Sequence, residues 1–166
     1  MSAPPRIRPA RREDVALMFS LIVELAEYER AADHVNGTEE MLEGALFGPE
    51  PVAEALIAEV GGEPAGFALF YTSFSTWQCT PGIWLEDLVV RERFRGAGAG
   101  AALVRELAAI ALRRGCGRVE WAVLDWNASA IGFYDRLGAS SVEDWRLRRL
   151  DGEALQRAAR GERPGP

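Results

Sequence analysis

Two neighbouring stretches of this chain hold residue types that can do chemistry. Trp84-Leu85-Glu86-Asp87-Leu88-Val89-Val90 sets two carboxylates in an apolar strand, and Arg95-Gly96-Ala97-Gly98-Ala99-Gly100 follows as a loop almost without side chains. So bare a loop lets its backbone N–H groups converge on an anion. The helical run that it opens, Ala101 to Leu112, adds the partial positive charge of a helix N-terminus. The expected ligand therefore carries phosphate. A P-loop would end in Gly-Lys-Ser/Thr, and this loop continues Gly100-Ala101-Ala102, which argues against ATP and GTP. Gly96, Gly98 and Ala101 fit the G-x-G-x-x-A spacing of dinucleotide sites. In that motif, however, the first glycine closes the strand directly, whereas Arg91 to Arg95 intervene here. Alone, the loop points to a phosphate and only weakly to its bearer.

Regular elements must position these stretches. Arg6-Ile7-Arg8 reads as a short strand ended by Pro9. From Glu13 the apolar residues Val15, Met18, Ile22, Leu25 and Tyr28 recur at helical spacing, with Glu24, Glu27 and Glu29 on the polar side. A second short helix is expected from Thr38 to Phe47. Gly61-Gly62 between Ala55–Val60 and Pro64–Tyr71 is a hairpin signal. After a loop from Ser73 to Gly82 comes the strand Ile83–Val90, then the glycine loop and its helix. A strand over Arg118–Leu124 should run parallel to Ile83–Val90, because a helix crosses between them. A helix over Ser129–Leu137, a last strand over Trp145–Leu150 and a helix over Asp151–Arg160 complete the pattern. The order predicts a single α/β domain over residues 6–160, a mixed central sheet flanked by helices, with residues 1–5 and 161–166 as flexible termini.

Composition narrows the function. At 166 residues the chain can bury a sizeable core, and 48% hydrophobic with 27% charged residues is the balance of a soluble globular protein. A formal net charge of −6 argues against nucleic acid as a partner and favours cationic small molecules. Cys79, Cys116 and the single His34 make no metal-ligand spacing, so no metal is expected. No apolar run approaches the ~20 residues of a membrane span. Without the apolar core of a signal peptide at the N-terminus, the expected location is cytoplasmic.

Arg95-x-x-Gly98-x-Gly100 after an apolar strand resembles the pattern by which GNAT-superfamily acetyltransferases hold the pyrophosphate of acetyl-CoA. Asn127 to Ala139, with Phe133-Tyr134 inside it, looks like that superfamily's second cofactor-contacting segment. Ile7-Arg8-Pro9-Ala10, Glu24 to Glu29, Leu85-Glu86-Asp87, Trp126-Asn127 and Trp145-Arg146-Leu147 together resemble the diamine (spermidine/spermine-type) acetyltransferase family, over nearly the whole chain. The resemblance implies a single-domain GNAT fold whose two parallel strands splay around the acyl-CoA site. It also implies acetyl-CoA as donor, no metal, and a homodimer.

Acyl transfer from a thioester to an amine sets the roles. The amine must lose a proton from an ammonium of pKa about 10.4, the oxyanion needs a donor, and the departing thiolate is best protonated. The resemblance makes Tyr134 the general acid, against a bland alternative of core packing beside Phe133. Glu86 is the candidate base, acting through water. Strand alternation puts it on a face with Trp84 and Leu88, where partial desolvation would raise its pKa, and puts Asp87 on the opposite face as a structural or substrate-proximal residue. The alternative for Glu86 is a structural carboxylate paired with an arginine. Leu88, Val89 and Val90 would hold the donor through backbone groups, Arg95, Gly96, Ala97, Gly98, Ala99, Gly100 and Ala101 its phosphates, and Asn127 its arm, unless Arg95 is simply solvated and Asn127 merely a helix cap. Tyr28, Glu29, Trp77 and Glu86 would face the acceptor, the alternative for Glu29 being a solvated helix face.

The acceptor follows from one loop. Polyamine-acetylating members carry an acidic residue before the Leu-Glu-Asp strand, and here Phe74-Ser75-Thr76-Trp77 has none. The Ser-Thr-Trp version looks more like the branch that acetylates the side-chain amine of thialysine and related amino acids. A lost anion weakens a second ammonium's binding, so spermidine should be the poorer substrate. Polyamine acetylation, protein N-acetylation and a non-catalytic acyl-CoA-binding regulatory domain are the competing readings.

Overall fold

A computed structural model describes residues 4–163. The chain divides into two compact units, Met1–Trp126 and Asn127–Pro166. The outermost residues of both expected flexible termini lie outside the described residues.

The first unit is a five-stranded mixed sheet between helices. Its strands are β1 (Arg6–Pro9), β2 (Glu54–Val60), β3 (Glu63–Ser75), β4 (Thr80–Val90) and β5 (Val119–Glu120), in the order β1-β2-β3-β4-β5. The first three pairings are antiparallel and β4 with β5 is parallel. Gly61 (φ 62°) and Gly62 (φ 84°) supply the two positive φ values that a tight hairpin turn of the right twist needs between β2 and β3. The β3–β4 hairpin is longer than the sequence suggests. Most of the expected loop from Ser73 to Gly82 is strand, with Ser73 opposite Gly82 and Ser75 opposite Thr80.

Each sheet face carries its own apolar layer. On one side α3 (Ala99–Arg113) lays Leu103, Leu107 and Ile110 on Leu56, Ala58, Phe70, Ile83 and Leu85. On the other, α1 (Val15–Tyr28) and α2 (Glu39–Phe47) lay Val15, Met18, Leu21 and Leu46 on Ile57, Phe67, Leu69 and Val89. Thr38 caps α2, its hydroxyl accepting from the Met41 N–H at 3.3 Å. Before α1, buried Asp14 receives Arg8 Nη1 at 2.7 Å, Arg8 Nη2 at 2.9 Å and the Arg11 N–H at 2.7 Å. Arg8 Nε donates to Glu59 at 2.7 Å, so one guanidinium ties β1, β2 and the start of α1 together. Burial alone would raise Asp14, but the bonds from Arg8 and Arg11 outweigh it and hold the carboxyl below its ordinary range.

The second unit holds α4 (Ala128–Arg136) and α5 (Gly152–Ala159). The strand expected over Trp145–Leu150 does not form, and Trp145, Leu147 and Leu150 are exposed. β-propensity makes a strand only where a ladder receives it, and the sheet order ends at β5. The expected strand over Arg118–Leu124 likewise contracts to Val119–Glu120. No helix among the described residues is long and apolar enough to cross a membrane.

Candidate active site

The glycine loop leaves β4 by a defined route. The Arg91 N–H donates to the Ala65 carbonyl at 2.9 Å, a 3₁₀ turn spans Glu92–Phe94, and the Arg95 N–H closes it onto Glu92 O at 3.0 Å. Gly96 (φ 80°) and Gly98 (φ 84°) then take left-handed backbone. A Cβ at Gly96 would meet nothing within 4 Å and one at Gly98 only the Pro5 Cγ at 3.9 Å. It is therefore the backbone conformation, not crowding, that calls for glycine there. Ala97 and Ala99 pack into the core and seat the loop. Gly98, the N-cap of α3, makes no side-chain cap bond, so the first-turn N–H groups face the loop without a capping acceptor. This cradle fits a pyrophosphate held by backbone N–H groups and the helix dipole.

Beside it, β4 is paired on one side only for most of its length. Leu88, Val89 and Val90 stand opposite Ala68, Phe67 and Gly66 of β3, whereas the ladder with β5 covers only Ile83 and Trp84. From Leu85 onward the two parallel strands no longer pair, as the resemblance leads one to expect. An edge of unpaired backbone groups beside the anion cradle suits the amides of an extended arm.

The carboxylates depart from the sequence expectation. Leu69 is opposite Asp87 and Phe70 is opposite Leu85, so Glu86 is an extra residue, a β-bulge in β4. The bulge resets the alternation, and Ile83 and Leu85 before it pack in the same α3-facing cluster as Leu88 and Val90 after it. Asp87 thus joins the opposite face with Val89, on the α1 side. The expectation that Glu86 and Asp87 lie on opposite faces is corrected. So is the expected desolvation of Glu86, which is exposed and accepts from Trp84 Nε1 at 2.9 Å. Burial acts instead on Asp87. Desolvation first, then the negative charges of Glu86 and Glu29, push its carboxyl up to about 6. Burial also raises Glu29, the C-cap of α1. The Tyr71 hydroxyl is raised by burial and by the charge of Glu86. Among the described residues, no ion pair involves Glu29, Glu86 or Asp87. The arginine-paired alternative for Glu86 is therefore not what the structure shows.

Aromatic residues border this acidic group. Tyr28 packs against Trp126 with ring centroids 5.9 Å apart, and the Arg95 guanidinium carbon lies 5.8 Å from the Tyr28 centroid. Trp77 sits at the tip of the β3–β4 hairpin, exposed. At about 3.3 Å per strand residue, the run from Thr80 to Glu86 separates them by ~20 Å along β4. Its assignment to the acceptor stands on the resemblance alone. In the second unit Asn127 caps α4, its Oδ1 accepting from the Ala130 N–H at 3.1 Å, and half-buried Tyr134 lies beside Phe133 at 5.1 Å.

The sequence reading did not foresee the desolvated, raised carboxyl of Asp87. The α3-facing residues of β4 are odd-numbered up to Leu85 and even-numbered from Leu88, but Trp84 and Val89 are apolar too, so the slip shows only once the faces are known. It also missed the meeting of Tyr28, Trp126 and Arg95, which depends on residues far apart in the chain.

A mixed sheet whose parallel strands part beside a glycine-lined loop at a helix N-terminus suits an acyl-CoA-dependent transferase. Residues 19–139 match the Acetyltransferase (GNAT) family, and the chain belongs to that family. It is 40% identical over 164 residues to the thialysine N-epsilon-acetyltransferase of Bos taurus, covering 92% of this chain and 96% of that one. With the L-ornithine N5-acetyltransferase of Arabidopsis thaliana it shares 31% identity over 196 residues, covering 91% of this chain and 86% of the relative. An integron cassette protein from the mobile metagenome of V. cholerae shares the fold at a TM-score of 0.77 and 25% identity, over 95% of this chain and 98% of that one. The chain is thus an acetyl-CoA-dependent N-acetyltransferase, as its motifs led us to expect.

Proposed function

We propose that this enzyme moves acetyl to a primary amine of a small thialysine- or lysine-like amino acid, or of a short diamine. The observation that carries the reading is the group of Glu29, Glu86 and Asp87, carboxylates that make no ion pair among the described residues, beside the stretch of β4 that β5 leaves unpaired. Such a group favours an ammonium. The similarity to thialysine and ornithine enzymes supports the same class of acceptor.

In this reading Glu29 and Glu86 receive the ammonium, with Tyr28 as a wall. Glu86 accepts the amine's proton through water and hands it to Asp87, whose carboxyl near 6 suits a proton acceptor working around neutral pH. The neutral nitrogen then forms the C–N bond as the C–S bond breaks. Tyr134 gives its phenolic proton to the departing thiolate, and the second proton that the nitrogen sheds on becoming an amide returns, through water, to the phenolate. The cradle from Arg95 to Ala101 holds the pyrophosphate, while the backbone of Leu88, Val89 and Val90, together with Asn127, holds the arm.

We also propose a homodimer, supported by exposed Trp145, Leu147 and Leu150, which a second copy would cover. Cytoplasmic residence belongs to the same reading, since that is where the donor is supplied.

The test is CoA release from acetyl-CoA with thialysine, lysine, spermidine and a diamine. Thialysine or lysine should lead, and Tyr134→Phe should lower kcat by about 10²- to 10⁴-fold. A lead for spermidine would overturn the acceptor in favour of a polyamine. Acetyl-CoA binding without turnover of any amine would favour a protein acceptor or a binding module.

A further inference from the structure

Arg95 opens the phosphate cradle, yet its guanidinium stands 5.8 Å over the ring of Tyr28, next in sequence to Glu29 of the acidic group. A half-exposed tyrosine face braced by Trp126 at 5.9 Å is a cation seat of the kind an ammonium would take. The face can hold one cation, and an ammonium approaching it meets the like charge of the guanidinium. Arginine binds phosphate through charge-assisted, often bidentate hydrogen bonds, which are stronger than an exposed cation–π contact. A pyrophosphate in the loop that Arg95 begins would therefore draw the guanidinium off the ring.

We propose that Arg95 occupies the acceptor's cation seat on Tyr28 until the donor's pyrophosphate takes it, so that one arginine couples the two substrates. This rests on the acceptor site proposed above. Arg95 is then a positioning residue for the amine as well as a phosphate contact. Coupling of this kind is reciprocal, because each ligand strengthens the binding of the other by the same factor. Its size follows from the contact that is exchanged.

The experiment is calorimetric titration of thialysine into the full chain, with and without saturating CoA, for wild type, Arg95→Gln, Tyr28→Leu and the double variant. In wild type, CoA should tighten thialysine about two- to fivefold. Arg95→Gln should tighten thialysine by a similar factor without CoA, and CoA should then add nothing. A merely damaging substitution cannot produce a gain in affinity. In the Tyr28→Leu background the gain from Arg95→Gln should vanish. Unchanged or weaker thialysine binding in CoA-free Arg95→Gln would overturn the proposal. A gain that survives Tyr28→Leu would also overturn it, by showing a general charge effect in place of a shared seat. If wild type turns thialysine over but shows no coupling, this inference alone fails. If no amine in the panel binds or reacts, the acceptor reading fails with it.

Discussion

The two ends of α1 treat a carboxylate in opposite ways. At its start, Asp14 is buried against a bidentate Arg8 and a backbone N–H, and its carboxyl is held below the ordinary range. At its end, Glu29 joins Glu86 and Asp87 with no ion pair among the described residues, and burial with mutual repulsion drives Asp87 up to about 6. Both groups lie in the sheet-bearing unit. The first is satisfied and ties strands to a helix, while the second leaves negative charge for a ligand to neutralise. Similar residue types thus become framework or site according to whether the fold supplies the counter-ion.

Removing a charge at each end should have opposite consequences. Asp14→Ala leaves Arg8 with Glu59 as its one remaining carboxylate and should cost about 3 kcal/mol in urea unfolding. Acid should act on this network in a definite sense. Because the folded carboxyl is depressed, its contribution is present above the unfolded value of about 3.9 and is lost as pH falls through the folded one. Asp87→Asn should instead stabilise the protein by on the order of 1–2 kcal/mol at pH 8. Here the folded carboxyl is raised from 3.8 to about 6, so the penalty is absent below the lower value, grows between the two and is complete above the higher. The difference between wild-type and variant unfolding curves across that window isolates it. Smallest is Glu29→Gln. It should raise the thialysine KM by about two- to fivefold with little change in kcat, since it removes a partly screened attraction and no reacting group. Steady-state kinetics at saturating acetyl-CoA checks it.

Much of this framework is legible in the chain. Gly61-Gly62 marks the β2–β3 turn, the glycine loop opens onto a helix that starts two residues earlier than expected, at Ala99, and Thr38 caps α2. These features are local, set by φ or by a capping side chain, and a sequence states them directly. Non-local partnership is harder to read. Period-two alternation places Asp87 wrongly because a bulge exists only relative to the opposing strand. The Trp145–Leu150 strand fails because its pattern finds no ladder in the fold. The network of Arg8, Asp14 and Glu59 joins residues up to 51 apart in the chain, a separation that local spacing does not show.

The most direct test of the central claim, that the β4 bulge makes the acceptor-amine site, is the pH profile of kcat/KM for thialysine in wild type and Asp87→Asn. Wild-type activity should fall on the acid side with an apparent pKa near 6, the value to which burial and its neighbours push Asp87. In the variant that limb should flatten and acetyl-CoA's KM should hold. An acid limb unchanged in Asp87→Asn, or a loss confined to acetyl-CoA's KM, would contradict the account.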